Sequence, residues 1–153
     1  MKNNILIALV AFVLIFNSCD DSDDCNNKVC FTPPNGFTFE LVDKTTRENL
    51  FTNETFSSNE ISVTNLADNS NLEFNFIDED DVNLIQINSI GWESETVDAL
   101  ITVSGIDIFS LIVDAERTTE DCCEFTKYND IRIENAEFEL NDENEIYTIL
   151  VTQ

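Results

Sequence analysis

The stretch Val97-Asp98-Ala99-Leu100-Ile101-Thr102-Val103-Ser104-Gly105-Ile106-Asp107-Ile108-Phe109-Ser110-Leu111-Ile112-Val113 decides the fold class. Val97, Ala99, Ile101 and Val103 recur with a period of two, the spacing at which side chains share one face of a strand. Ser104-Gly105 then separates two β-branched runs, the signature of a tight hairpin. The same alternation spreads outward in both directions. Phe37, Phe39 and Leu41 share a face, as do Ile61 and Val63, and Leu72, Phe74 and Phe76. Val82 to Ser89 forms a further strand, and Ile131 and Ile133 lead towards Phe138 and Leu140. The polar run Asn141 to Glu145 turns the chain into Ile146 to Val151.

Eight or nine short strands at this spacing, with no amphipathic helix longer than two turns, predict an all-β chain. The expected architecture is a single antiparallel two-layer β-sandwich, Ig-like or transthyretin-like. Ala115 to Thr119 has room for one helical turn. Three glycines and two prolines are few for so many reversals. Asn and Asp are therefore expected to supply the turn chemistry, because their side chains bond local backbone and tolerate φ > 0.

The chain has 153 residues, one domain's worth, with seven Lys and Arg against 31 Asp and Glu and a formal charge of −24. Nothing here could neutralise a run of phosphates, so a nucleic-acid partner is excluded. The chain contains no histidine, which removes His-assisted nucleophiles, His metal sites and imidazole switching. Hydrophobic residues at 42% leave enough for a core and argue against global disorder.

The amino terminus reads as an address. Met1-Lys2-Asn3-Asn4 is a short polar start, and Ile5 to Phe16 is an unbroken apolar run. Twelve helical residues cover about 18 Å against a hydrocarbon core of about 30 Å, too short to span. The run fits the apolar region of a secretory signal peptide, an uncleaved anchor being the alternative. Phe16-Asn17-Ser18-Cys19 resembles the lipobox of bacterial lipoproteins, with Phe16 where that motif usually has Leu. The resemblance implies cleavage before Cys19 and diacylation of its sulfur. Asp20-Asp21-Ser22-Asp23-Asp24 resembles the export signal of Bacteroidota surface lipoproteins, which implies a lipoprotein of the outer membrane exposed on the cell surface. The expected organisation is then a signal peptide over 1–18, a lipidated acidic tether over 19–29 and a sandwich over 30–153. Repulsion among the carboxylates would extend the tether away from anionic headgroups. Calcium is the rival use of that cluster, but consecutive Asp residues lack the glycine turn and terminal Glu of a calcium loop.

Two further resemblances concern the chain after the tether. Leu41 to Leu50 is similar to the first strand and turn of peptidase-associated regulatory β-sandwiches, which read Val-x-Asp-x-x-Thr-Gly-x-x-Leu; this chain has Arg47 at the glycine position. As a whole the chain resembles small uncharacterised flavobacterial-type surface lipoproteins, from which no activity follows.

With Cys19 given to lipid, Cys25, Cys30, Cys122 and Cys123 remain, an even number that reads as disulfides in an exported chain. Three pairings are possible. The expected one joins Cys25 and Cys30 each to one member of Cys122-Cys123, closing a long loop and clamping the tether to the domain. If the adjacent pair lay on a strand its side chains would face opposite sides, and the N-terminal segment would have to wrap an edge. The competing pairing bridges Cys25 to Cys30 and Cys122 to Cys123. Zinc is a third reading, but the spacing lacks two C-x-x-C knuckles.

Without histidine, catalysis would rest on carboxylates or thiols, and no residue set nominates a substrate; the expectation is a non-enzyme with no cofactor. Asp78-Glu79-Asp80-Asp81 is the densest acidic cluster, a solvated turn or, alternatively, a calcium loop through Asp78, Asp80 and Asp81. Trp92, the only tryptophan, follows Gly91 at a strand end. Core packing is its expected role, with stacking on a sugar ring as the alternative. Two functions fit: a non-catalytic surface module binding an unknown protein or glycan, or a structural accessory subunit of an envelope complex, with membrane contact through the lipid alone. Metabolic labelling with radioactive palmitate checks the address: the label should enter the intact chain and vanish in Cys19→Ala.

Overall fold

A computed structural model describes Cys25, residues 29–79 and residues 82–152. Ten strands form two five-stranded sheets, β1 (Phe37–Asp43), β2 (Ile61–Asn65), β3 (Ser70–Asn71), β4 (Asn75–Glu79), β5 (Val82–Ile87), β6 (Glu95–Val103), β7 (Ile106–Glu120), β8 (Cys123–Glu134), β9 (Glu137–Asn141) and β10 (Ile146–Val151). One sheet runs β4-β5-β1-β10-β9 and the other β3-β2-β6-β7-β8. The chain is a two-layer β-sandwich. No helix among the described residues is long and apolar enough to cross a membrane.

The alternating residues meet between the layers. Phe37, Phe39 and Leu41 of β1, Ile85 and Ile87 of β5 and Ile149 of β10 face Val97, Ala99, Ile101 and Val103 of β6 and Phe109, Leu111 and Val113 of β7; all are buried. Phe39 lies 4.8 Å from Phe109 across the gap and 5.5 Å from Tyr147 beside it. Burying one such side chain contributes about 3 kcal/mol. On one flank Phe76 of β4 meets Phe51 at 4.9 Å, and Phe56 stands 6.0 Å beyond, so the loop after β1 plugs that side. The loop is shaped by Asn49, whose Oδ1 accepts from the backbone N–H of Phe51 and Thr52 while Nδ2 donates to the Asn83 carbonyl.

Three expectations change, and the placement of the adjacent cysteines, left open by the sequence, is given by the structure. The sandwich is not wholly antiparallel, because β1 and β10 pair in parallel with Phe39 opposite Tyr147 and Leu41 opposite Ile149. Parallel neighbours need a long crossover, and here the rest of the sandwich lies between the two strands. Leu72 to Phe76 is not one strand: Leu72 to Phe74 is a connection, and only Asn75 and Phe76 belong to β4. The chain leaves the β2 sheet after Asn71 and enters the β5 sheet at Asn75, keeping Leu72, Phe74 and Phe76 against the core as it crosses. Ala115 to Thr119 is not helical: β7 runs on to Glu120, held by pairs such as Arg117 with Thr126 and Thr118 with Phe125. The adjacent cysteines do not share a strand. Asp121 and Cys122 are the two-residue turn of the β7–β8 hairpin, at φ 48° and 71°, and Cys123 opens β8.

That turn lets one short segment reach both thiols without wrapping an edge. Disulfides join Cys25 to Cys122 and Cys30 to Cys123, with Cα atoms 5.5 Å and 5.4 Å apart. Cys25, expected within the tether, is thereby bonded to the domain. Asn and Asp do supply much of the turn chemistry. Asp43 Oδ1 accepts from the N–H of Thr45 and Thr46, which holds its carboxyl below the ordinary carboxylate range; Asn65, Asn141 and Asn144 make similar local bonds. Positive φ nevertheless falls also on Arg47, Glu54, Ser104, Cys122 and Glu145. Ser104 and Gly105, at φ 55° and 74°, form the hairpin expected between β6 and β7.

The two bridges close nearly the same loop, separated by 97 and 93 residues, so their contributions are not additive. The first closure is worth about 4–5 kcal/mol, and the second, which closes only a small ring, about 2–3 kcal/mol. Replacing either pair with serine should therefore cost about 2–3 kcal/mol in urea unfolding, and replacing both about 7 kcal/mol, more than the two single losses together.

Candidate functional site

The surface around Trp92 is built from the loop between β5 and β6 and from the segment the disulfides hold. Gly91 is buried at φ 94°, and a Cβ there would stand 2.9 Å from both Thr126 Cγ2 and Tyr128 Oη. Glycine alone fits both the backbone and the space. The Gly91 N–H donates to Glu95 Oε1 at 2.6 Å, and its carbonyl accepts from the Thr126 hydroxyl. With Gly91 locked, Trp92 is thrown outward. Its indole Nε1–H donates to the Asn88 carbonyl at 2.9 Å, which fixes the ring.

Trp92 is 50% exposed, so core packing is not its role. The physical reason lies in Gly91, whose left-handed backbone turns the next side chain away from the interior. The indole instead forms a wall between two open hollows. One, of about 570 Å³, is lined by Leu72, Glu73, Phe74, Asn75 and Ser89. The other, of about 450 Å³, is lined by Cys30, Phe31, Thr32, Arg117 and Glu124. The floor of the first is the crossing between the sheets, where the Ser89 hydroxyl donates to the Glu73 carbonyl. The second exists because the disulfides pin Cys30 to the β8 end. Arg117 fastens the same segment: its Nη1 donates to the Thr32 carbonyl at 3.0 Å and to the Thr126 hydroxyl at 2.9 Å, and its Nε stands 3.8 Å from Glu124.

A second surface is apolar. Ile131 of β8 and Phe138 and Leu140 of β9 are 38%, 43% and 46% exposed, along the flank where the two edge strands face each other. Between them Tyr128, Tyr147 and Phe37 line a small cavity of about 170 Å³. The Tyr128 hydroxyl donates to the Asn35 carbonyl at 2.8 Å. Burial raises the Tyr128 pKa, Glu95 adding to the shift and Arg117 opposing it; Tyr147 is raised by burial and by Glu145. Lys44 and Arg47 reach over β10 to pair with Glu137 and Glu139 of β9. On this flank the two basic side chains offset part of the acidic surface.

The remaining residues singled out in the sequence stand as follows. Asp78 lies exposed at the end of β4, while Asp80 and Asp81 lie outside the described residues. Among the described residues no group of three Cys, Asp or Glu could hold a metal ion. Cys19 and the run Asp20, Asp21, Ser22, Asp23 and Asp24 also lie outside them. The hollows were not foreseen in the sequence, because their walls come from four separate segments. The Gly91-Trp92 dipeptide was the one local signal.

Comparison with known proteins adds no relative: the chain matches no protein-family model, no curated protein and no solved structure.

Gly91→Ala tests the architecture of the site. The left-handed backbone alone makes a side chain about 1 kcal/mol worse there, and the two close contacts add to it. Urea unfolding should show a loss of more than about 1 kcal/mol, and emission from the single tryptophan should shift as the indole leaves Asn88.

Proposed function

We propose that this chain is a non-catalytic binding module, lipid-anchored at Cys19 and carried on the outer surface of the outer membrane. The observation that carries the binding reading is Trp92, a large aromatic side chain held half in solvent by its own hydrogen bond, between two hollows that meet at its ring. A rigid, partly exposed aromatic with polar neighbours is the kind of group on which recognition concentrates. The lipobox-like segment and the acidic run supply the address, and disulfides suit an exported chain. Catalysis finds little support: the chain has no histidine, and Cys25, Cys30, Cys122 and Cys123 are all oxidised in pairs.

A second reading has its own observation. The half-exposed Ile131, Phe138 and Leu140 between two free strand edges favour a structural accessory subunit seated in an envelope complex, since such edges invite pairing. Crosslinking on intact cells separates the two. The binding reading expects a surface partner whose capture falls at least tenfold in Trp92→Ala and is unchanged in Leu140→Ser. A stoichiometric envelope protein lost in Leu140→Ser and kept in Trp92→Ala would replace it with the accessory reading.

A further inference from the structure

We infer that the ligand of the Trp92 surface is a linear, neutral oligosaccharide that straddles the indole. This rests on the binding-module reading and deepens it. One sugar ring stacks on Trp92 and the units on either side enter the two hollows.

The shape of the surface calls for an extended ligand. Trp92 lines both hollows, so a chain with repeating units that crosses the indole can occupy both at once. Neither hollow encloses its contents, whereas sites for compact small molecules bury most of the ligand. An extended peptide gains its affinity by adding a strand to a free sheet edge. On the floor of the first hollow, Leu72 to Phe74, the Leu72 N–H is already given to the Val63 carbonyl and the Glu73 carbonyl already accepts from Ser89, so an added peptide strand finds few free backbone partners there.

The chemistry calls for hydroxyls. With the indole N–H already given to Asn88, Trp92 offers a ligand its face and edge, which match the C–H face of a pyranose. Polar groups of both kinds flank it. Glu73 and Asn75 line the first hollow, and among the described residues neither side chain makes a hydrogen bond. Arg117 and Glu124 line the second as a loose pair. A hydroxyl both donates and accepts, so a sugar can satisfy carboxylate, amide and guanidinium alike. Charge then selects among glycans. Glu73 lines the first hollow and Glu124 the second, against the single basic lining residue Arg117, on a chain of charge −24, which repels uronic or sulfated polymers. Neutral chains meet no such penalty.

Because Trp92 is the only tryptophan, its emission reads the site directly in the full chain. The titration uses neutral hexasaccharides of glucose, mannose and xylose in β and α linkage, the matching disaccharides, and a polygalacturonate oligomer. At least one neutral hexasaccharide should quench or blue-shift the emission saturably. Its disaccharide should bind at least tenfold more weakly, and the polygalacturonate should bind more weakly still at low salt. Calorimetry should find binding lost in Trp92→Ala and weakened about fivefold in Glu73→Gln, an exposed change that leaves the fold intact. The inference is overturned if no neutral hexasaccharide perturbs Trp92, if the disaccharide binds as tightly as the hexamer, or if binding survives Trp92→Ala. Capture of a Trp92-dependent protein partner on cells without any response to sugars would sink the glycan and leave the binding module standing. Loss of both would remove the module as well.

Discussion

Phe39 is the side chain around which both layers are arranged. It sits fully buried on β1, the central strand of its sheet, with β5 on one side and β10 on the other. Its ring meets Phe109 of the opposite sheet and Tyr147 of its own. Everything that positions the Trp92 surface leads back to that contact. β5 pairs with β1 through Phe39 and Ile85, and the loop that leaves β5 carries Gly91 and Trp92. β7, which carries Phe109, continues into the hairpin whose turn and following residue hold the two disulfides. A cavity at this point would loosen both ends of the site at once, since interiors of this density transmit strain.

The exposure of Trp92 follows from three constraints acting within a few residues. Gly91 takes a backbone conformation that side chains avoid, Glu95 and Thr126 hold its peptide groups, and Asn88 takes the indole proton. A half-exposed tryptophan gives up part of the burial that the core would provide, about 25 cal/mol for each Å² left in water. The neighbouring hydrogen bonds keep it there instead of letting it fold back. Three of the basic side chains tie elements together: Arg117 beneath the disulfide-held segment, Lys44 and Arg47 against β9.

The layers and most of the strands were legible because burial on one face of a sheet writes itself into alternation. Val97 to Val113 shows both strands and their turn in one line of sequence. Direction was not legible: alternation is the same whether β1 runs with β10 or against it, and only the three-dimensional path decides. Leu72 to Phe76 misled because a chain crossing between two sheets can keep the same side chains inward without staying paired. Ala115 to Thr119 misled because its strand state is imposed by partners on β8 rather than by local preference. The expected disulfide pairing matches the structure, while the reason it is possible, a turn at Asp121-Cys122, required a left-handed cysteine that no composition rule suggests. For the site, Trp92 was visible and its surroundings were not, since the hollows join segments far apart in the chain.

The knot of sulfur at the tip of the long hairpin also sets how the molecule answers to being pulled. Tension arriving along the chain before Cys25 passes through Cys122 into the Asp121–Cys122 turn and bypasses Phe31 to Asp43. The pull then runs lengthwise along the β7–β8 hairpin and loads its ladder to β6 in shear, straining many bonds together rather than peeling them one by one. β1, with Phe39 at its middle, stays outside that route. Hydrodynamic drag on the protein would therefore enter through the sheet with the longest strands, and the segment from Phe31 to Asp43 would stay off that route until both bridges are reduced.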